Sequence, residues 1–239
     1  MTVEKTDQAH WAEVAEEWIA WARAPDHDAF WKYGSAFRDF VGNGKGEALD
    51  VGCGEGRVSR LLKELGYHVT AADPVARFVE AAQEMDSAHH YEVAAAAALP
   101  FEDESFDIVL AFNVLMDIED VPAAVKEMRR VLKPSGSLIV SIVHPFADRG
   151  HFSGPEPDAP FVVPGSYFRR ERFEGAEEKN GLKMHFAGWS QPLQDYMAAF
   201  TQAGFAITAL KEPAPQDPSR WTRIPLFLWL KARPFPSDR

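Results

Sequence analysis

Ala48-Leu49-Asp50-Val51-Gly52-Cys53-Gly54-Glu55-Gly56 is the stretch that decides the fold of this chain. An apolar strand ends on an acid, and glycine then occupies every second position of a loop. A helical pattern, Arg57-Val58-Ser59-Arg60-Leu61-Leu62-Lys63-Glu64-Leu65-Gly66, follows directly. Without Cβ atoms such a loop turns sharply and lets a ligand approach its backbone, and the helix start adds unpaired N–H groups. The bland alternative is a tight βα turn that binds nothing. It explains a glycine pair well and the whole strand, acid, loop and helix pattern poorly.

Spacing narrows the ligand. The dinucleotide fingerprint is G-x-G-x-x-G, with a pyrophosphate on the helix N-terminus. Here the third glycine comes one residue early, and Arg57 stands where that pattern wants glycine. Asp50 would repel a pyrophosphate but suits an ammonium group. A second acid lies further on: Tyr67-His68-Val69-Thr70-Ala71-Ala72 reads as a short buried strand, and Asp73-Pro74 follows it. A carboxylate about 20 residues past the loop falls at the tip of the next strand of a βαβ unit, where it can accept both ribose hydroxyls. Alone, Asp73 would read as a solvated turn residue; coupled to the loop, it reads as a ribose ligand.

With these residues in place the chain resembles the class I S-adenosylmethionine-dependent methyltransferases, in particular their small-molecule, ubiquinone-biosynthesis-like branch. Asp50-Val51-Gly52-Cys53-Gly54-Glu55-Gly56 is similar to that family's first motif, and Asp73 to its ribose-binding acid. Leu99-Pro100-Phe101-Glu102-Asp103-Glu104-Ser105-Phe106-Asp107-Ile108-Val109 resembles the approach to its fourth strand. Val131-Leu132-Lys133-Pro134-Ser135-Gly136-Ser137-Leu138-Ile139-Val140 resembles its helix end, turn and fifth strand. The resemblance implies S-adenosyl-L-methionine as cofactor. Gly52 and Gly54 would present backbone to its methionyl part, with Asp50 near the ammonium and Asp73 on the ribose. Pro74 would lie against the adenine, and Asn113 would offer its backbone to the methionyl amine. Cys53, Gly56, Arg57, Ala96 and Val114 complete the expected cofactor-binding set. One departure is plain: the family often places an acid before Ala-x-x-Leu-Pro to meet the adenine amino group, and this chain has Ala95 there, within Ala94-Ala95-Ala96-Ala97-Ala98. Adenine recognition would then rest on amides near Ala96 and on packing.

Bulk properties restrict the partners. The 239 residues suffice for one sizeable α/β domain. A formal charge of −11 argues against a nucleic-acid footprint, which needs clustered Lys and Arg. No apolar run approaches a membrane span, and the polar, acidic N-terminus does not resemble a signal peptide. The single Cys53 has no partner for an internal disulfide and reads as a small buried filler. No metal-ligand pattern is read. These features point to a cytoplasmic protein, monomer or homodimer, acting on a small molecule.

Along the chain, residues 8–23 carry apolar groups at helical spacing, and Pro25-Asp26 breaks them before a second helical pattern through Phe30, Trp31, Tyr33, Phe37, Phe40 and Val41. The pattern then alternates: strand 47–51, helix 56–65, strand 67–72, helix 75–85, strands 90–94 and 106–112, helix 120–132, strand 137–143. Residues 147–166 read as a long Pro- and Gly-rich loop. A hairpin is expected from 167–174 and 182–187 around Gly175 to Gly181, then a helix over 192–203 and strands 205–210 and 224–230. The expected fold is α/β: a Rossmann-like, doubly wound, seven-stranded and mostly parallel sheet with helices on both faces. One methyltransferase domain spans 1–239, divided into an N-terminal helical lid (1–42), a cofactor-binding core (43–143), a substrate-covering insertion after the fifth strand (144–190) and a C-terminal helix with the last two strands (191–239).

In-line methyl transfer needs positioning, water exclusion and, for some acceptors, a base with pKa near neutrality. Candidates are His144 directly after the fifth strand, Asp117 just past the fourth, and His185 in the hairpin. Each has a structural alternative, since a lone strand histidine is more often a packing residue. Aromatics crowd the N-terminal helices and the late insertion, so Trp31 and Tyr33, with Met116, Tyr167 and Trp189, are expected to line a lid over an apolar or aromatic acceptor. Aromatics at helical spacing are also ordinary core. Two rival readings remain: an NAD-dependent oxidoreductase, disfavoured by the loop spacing and Asp50, and a non-catalytic cofactor-binding or regulatory subunit, to which Ala95 lends support.

Overall fold

The computed structural model describes residues 6–25, 27–215 and 219–235. Three helices precede the sheet: α1 (Asp7–Glu13), α2 (Ala15–Arg23) and α3 (Phe30–Val41). Thr6 caps α1, its Oγ1 accepting the Ala9 N–H. The single helix expected over 8–23 is instead two, because the chain bends at Val14 (φ −98°, ψ 14°). The bend lets Val14 and Trp21 pack together against Met184 far along the chain. Asp26, half of the expected helix break, lies outside the described residues. So do both chain ends of the expected segments 1–42 and 191–239. α3 buries Phe30, Tyr33, Phe37 and Val41, the i, i+3, i+7 stripe of an amphipathic helix.

The chain then alternates as its periodicity predicts: β1 (Glu47–Val51), α4 (Arg57–Glu64), β2 (His68–Asp73), α5 (Ala76–Glu84), β3 (His90–Val93), β4 (Phe106–Phe112), α6 (Val121–Val131) and β5 (Leu132–Val143). β5 starts five residues before the expected strand. Its first residue pairs with Phe106, and the register then shifts before Ser137 pairs with Ile108. After the short α7 (Pro145–Asp148) come a two-residue pair, β6 (His151–Phe152) with β7 (Phe161–Val162), and a hairpin of β8 (Glu171–Lys179) and β9 (Leu182–Ser190). That hairpin is longer and its turn tighter than expected. Asn180 (φ 48°) and Gly181 (φ 80°) alone make the turn, and both adopt the left-handed conformation of a two-residue connection that matches strand twist. The residues expected to form a wide loop, Gly175 to Lys179, therefore pair as strand. α8 (Leu193–Gln202), β10 (Phe205–Lys211) and β11 (Phe227–Pro234) complete the chain. Gly204 (φ 80°) ends α8.

Seven strands form one sheet in the order β10-β11-β5-β4-β1-β2-β3. β1 to β5 run parallel, and β11 is antiparallel to both its neighbours. The strand order reverses between β1 and β4, which opens a crevice beyond their carboxyl ends. One face of the sheet packs on α6 and α8 around Met128, Leu132 and Phe200; the other packs on α3 and α4 around Phe37, Leu62 and Trp229. Phe37 is 0% exposed, with ring centroids 4.7 Å from Phe112 and 5.0 Å from Trp229. Truncating such a ring to Ala costs about 3–5 kcal/mol. α3 is thus anchored to the sheet at the edge of the crevice. No helix among the described residues is long and apolar enough to cross a membrane.

Candidate functional site

A cavity of about 1090 Å3 opens in that crevice. Its floor is the glycine loop. Gly52 (φ 70°) and Cys53 both donate their N–H to the Ala72 carbonyl, at 2.7 and 3.1 Å, which folds the loop back over β2. A Cβ on Gly52 would lie 2.4 Å from the Val114 side chain, so only bare backbone passes there. Gly54 (φ 53°) donates its N–H to Asp73 Oδ2 at 3.0 Å, and Val75 donates to Oδ1 at 2.9 Å. Both oxygens of Asp73 are thus fixed by amides while the side chain still borders the cavity. Burial pushes its carboxyl up to about 6, against the pull of those two amides.

Asp50, at the tip of β1, is 1% exposed and accepts the Ser59 hydroxyl at 2.6 Å. Burial, reinforced by the nearby Asp73 charge, lifts its carboxyl to about 7. A cation or hydrogen-bond donor arriving in the cavity would stabilise the ionised form of either acid. The Cys53 thiol is held well above its ordinary range by burial and borders the cavity as an apolar filler. Past β4, Asn113 takes a left-handed turn (φ 54°) fixed by two bonds to Ser141: its N–H donates to the carbonyl at 2.7 Å, and its Oδ1 accepts the hydroxyl at 2.7 Å. Asn113, Val114, Met116 and Asp117 therefore enter the cavity wall, as do Pro74 and Ala96. Ala95, Ala96 and Ala97 form an edge of the cavity without a side-chain carboxylate.

Several expected site residues sit elsewhere. Gly56 does not border the cavity; a Cβ on it would meet Ser87 at 2.3 Å and Ala82 at 2.9 Å, so its bareness serves the packing of α4 on the end of α5. Arg57 does border it, but its charge is engaged: the guanidinium lies 5.0 Å from the Trp18 ring centre and 4.7 Å from that of Phe30, with Asp28 Oδ1 at 2.8 Å. It braces the N-terminal helices against α4.

His144 does not point into the crevice. Its Nδ1 accepts the Phe146 N–H at 3.1 Å, capping α7, and its Nε2 meets Glu212 at 3.0 Å. His185 is likewise committed, its Nδ1 donating to Glu17 Oε2 at 2.8 Å between β9 and α2. Trp31 is 46% exposed and outside the cavity. The Tyr167 hydroxyl accepts the Leu193 N–H, and Trp189 donates to Asp7 while stacking on Arg170, so neither reaches the cavity. Of the expected acceptor-side residues, Tyr33, Met116 and Asp117 remain. The walls also use residues that the sequence did not single out as ligand contacts: Trp18 over the glycine loop with Trp11 beside it, Asp148 from α7, and Phe173 and Phe186 from the hairpin. Helical spacing flagged the first two only as part of an aromatic crowd.

Comparison with known proteins agrees with this geometry. Residues 49–140 match the methyltransferase domain family model. Over 95 residues the chain is 36% identical to malonyl-[acyl-carrier protein] O-methyltransferase of Serratia marcescens, covering 40% of this chain and 37% of that protein. Over 97 residues it is 39% identical to 2-methyl-6-phytyl-1,4-hydroquinone methyltransferase of Synechocystis, covering 39% and 30%. The chain thus matches about a third of these relatives' length. In fold it is similar to an S-adenosylmethionine-dependent methyltransferase from Mesorhizobium loti, with TM-score 0.67, 24% identity and coverage of 87% of this chain and 99% of that one. Sheet order, glycine loop and matched segment converge: residues 49–140 are similar to the methyltransferase domain family, within a fold like that of the solved S-adenosylmethionine-dependent methyltransferase.

Proposed function

We propose that this protein transfers the methyl group of S-adenosyl-L-methionine to a small organic acceptor by in-line displacement. The observation that carries the reading is Asp73, whose two oxygens are pre-aimed by the Gly54 and Val75 amides beside a bare-backbone loop that ends on the buried Asp50. In this reading Asp73 accepts the two ribose hydroxyls, and Asp50 faces the methionyl ammonium through its free oxygen. Gly52, Gly54 and the turned Asn113 offer backbone to the amino-acid tail, with Pro74 and Ala96 flanking the adenine. The sulfonium supplies an electrophilic methyl, so the remaining duty of the protein is to place the acceptor in line at about 3 Å and exclude water. α1, α2 and the β8–β9 hairpin close the cavity over that point and act as the lid.

The two relatives named above differ in acceptor, a malonyl group on a carrier protein and a phytylated hydroquinone. The matched segment, residues 49–140, holds the glycine loop, Asp73 and the β4 turn, whereas the lid and hairpin lie outside it. This division supports a shared cofactor site beneath an acceptor site particular to this chain. The test is transfer of a labelled methyl from S-adenosylmethionine into a metabolite extract, with Asp73→Ala as control. Label in a small molecule that vanishes in the variant is expected; cofactor binding with no acceptor ever labelled would favour a non-catalytic subunit.

A further inference from the structure

Asp117 occupies the turn after β4, and its carboxylate borders the same cavity as Asp7 and Asp148. The charges that act on it are all acids: Asp7 first, then Asp148, then Asp73. Each of those acids has company. Asp7 is paired with Arg172 and accepts the Trp189 N–H, Asp148 lies beside Arg149, and Asp73 holds two amides. Among the described residues none donates a hydrogen bond to Asp117 or pairs with it. Its Oδ1 lies against bare backbone instead: a Cβ on Gly188 of β9 would come within 2.9 Å of it. Asp117 is itself only partly buried, and a partly buried carboxylate without a partner favours the arrival of a cation or donor.

A second group on the same cavity is also unmatched. Tyr33 is 2% exposed, its ring edge-on to Phe227 at 5.1 Å, and its hydroxyl has no hydrogen-bond partner. The same cavity is also lined by apolar rings, among them Phe112, Phe173 and Phe186. Two of the cations on the cavity wall are engaged away from Asp117, Arg57 with Asp28 and Arg220 with the Gly154 carbonyl; Lys32 and Lys179 also line it.

Resting on the methyltransferase reading, we propose that the acceptor is a small amine, cationic at neutral pH and with an apolar body, whose nitrogen sits on Asp117. Asp117 takes one proton from the bound ammonium and so frees the nitrogen lone pair. The N–C bond forms as the methyl C–S bond breaks, its electron pair staying on sulfur. The product nitrogen keeps the positive charge, the donor leaves as a neutral thioether, and solvent then receives the proton from Asp117. An anionic acceptor would instead meet three carboxylates, those of Asp117, Asp7 and Asp148.

These acids would attract the sulfonium of the donor too, so the test uses the neutral product complex. Protein saturated with S-adenosylhomocysteine is titrated calorimetrically with three probes of one shape: phenethylamine, 2-phenylethanol and phenylacetate. Phenethylamine is expected to bind at least tenfold tighter than the alcohol, with phenylacetate weakest. Asp117→Asn should bring the amine down to the level of the alcohol and leave the alcohol unchanged. Asp148→Asn should weaken the amine less. A thermal melt checks that both variants fold. Equal or tighter binding of the alcohol or the carboxylate, unchanged amine affinity in Asp117→Asn, or no saturable binding of any probe overturns the proposal. Failure of the wild-type chain to take up S-adenosylhomocysteine would instead overturn the methyltransferase reading beneath it.

Discussion

Replacing Asp73 with Ala tests the cofactor site at its most specific point. In the wild type each carboxylate oxygen accepts one protein amide, at 3.0 Å from Gly54 and 2.9 Å from Val75, and has capacity for a ribose hydroxyl. Hydrogen bonds to a charged group contribute about 1.5–3 kcal/mol each, so losing two ribose contacts costs about 3–6 kcal/mol. That corresponds to roughly a 10^2- to 10^4-fold rise in Kd for S-adenosylhomocysteine. The variant also leaves two amides unpaired, which lowers stability. Against this, it removes an acid that burial already holds near 6 and that raises the neighbouring Asp50. Asp73→Asn keeps one acceptor oxygen and should fall between wild type and Ala. Calorimetry measures the affinities, and a thermal melt separates lost binding from lost folding. A folded Asp73→Ala variant whose Kd stays within about threefold of wild type would refute the ribose assignment, because one lost charged hydrogen bond alone predicts more.

Four further outcomes follow from the same geometry. Gly52→Ala places a Cβ 2.4 Å from Val114 at φ 70°, so it should weaken S-adenosylhomocysteine binding at least about tenfold, and Val114→Ala on top should recover only the steric part, since the backbone penalty of about 1–2 kcal/mol persists. Arg57→Met removes the brace between α4 and the N-terminal helices, costing about 1–3 kcal/mol in its cation–π contacts and ion pair, and hydrogen exchange should speed up over α2 and α3. His144→Ala loses a helix cap of about 1 kcal/mol and lowers Tm, yet should leave kcat/KM for methyl transfer within about twofold, because the ring is turned from the cavity. For pH, the raised carboxyls of Asp50 and Asp73 bind protons in the fold that the unfolded chain has already released. Apo stability should therefore be greatest in acid and decline as pH climbs through the unfolded value of about 4 to the folded values of about 6 and about 7. Ligand ammonium and ribose select the ionised forms, so affinity should rise over that window with proton release near pH 6.5, measurable as buffer-dependent binding heat; uptake of protons would contradict it.

The sheet and the floor of the cavity were legible in the sequence because both are local. Period-two and helical patterns gave each βα unit, and Asp50, the glycine loop and Asp73 follow one another within a single such unit. The acceptor end was not legible, since it is assembled across the chain. Trp18 reaches Gly54 from α2, Asp117 abuts Gly188 on β9, and Phe173 and Phe186 come from a hairpin whose Asn180-Gly181 turn sets its register but not the element it packs against. His144 shows the limit of placing a residue by strand position alone. It does follow β5, but Pro145 starts a helix that needs a cap, and its imidazole supplies it. His185 and Trp189 fail for a related reason: β9 pairs them with acids of α1 and α2 rather than facing them inward. The bend at Val14 carried no glycine or proline to announce it; it arises from tertiary packing against Met184.

What fills the crevice between β1 and β4 decides the function of the chain. Titrating the wild-type chain at pH 8 with S-adenosylhomocysteine and, separately, with NAD should give saturable one-to-one heat for the first alone. Binding of NAD in its place, or no heat with the thioether, would contradict it.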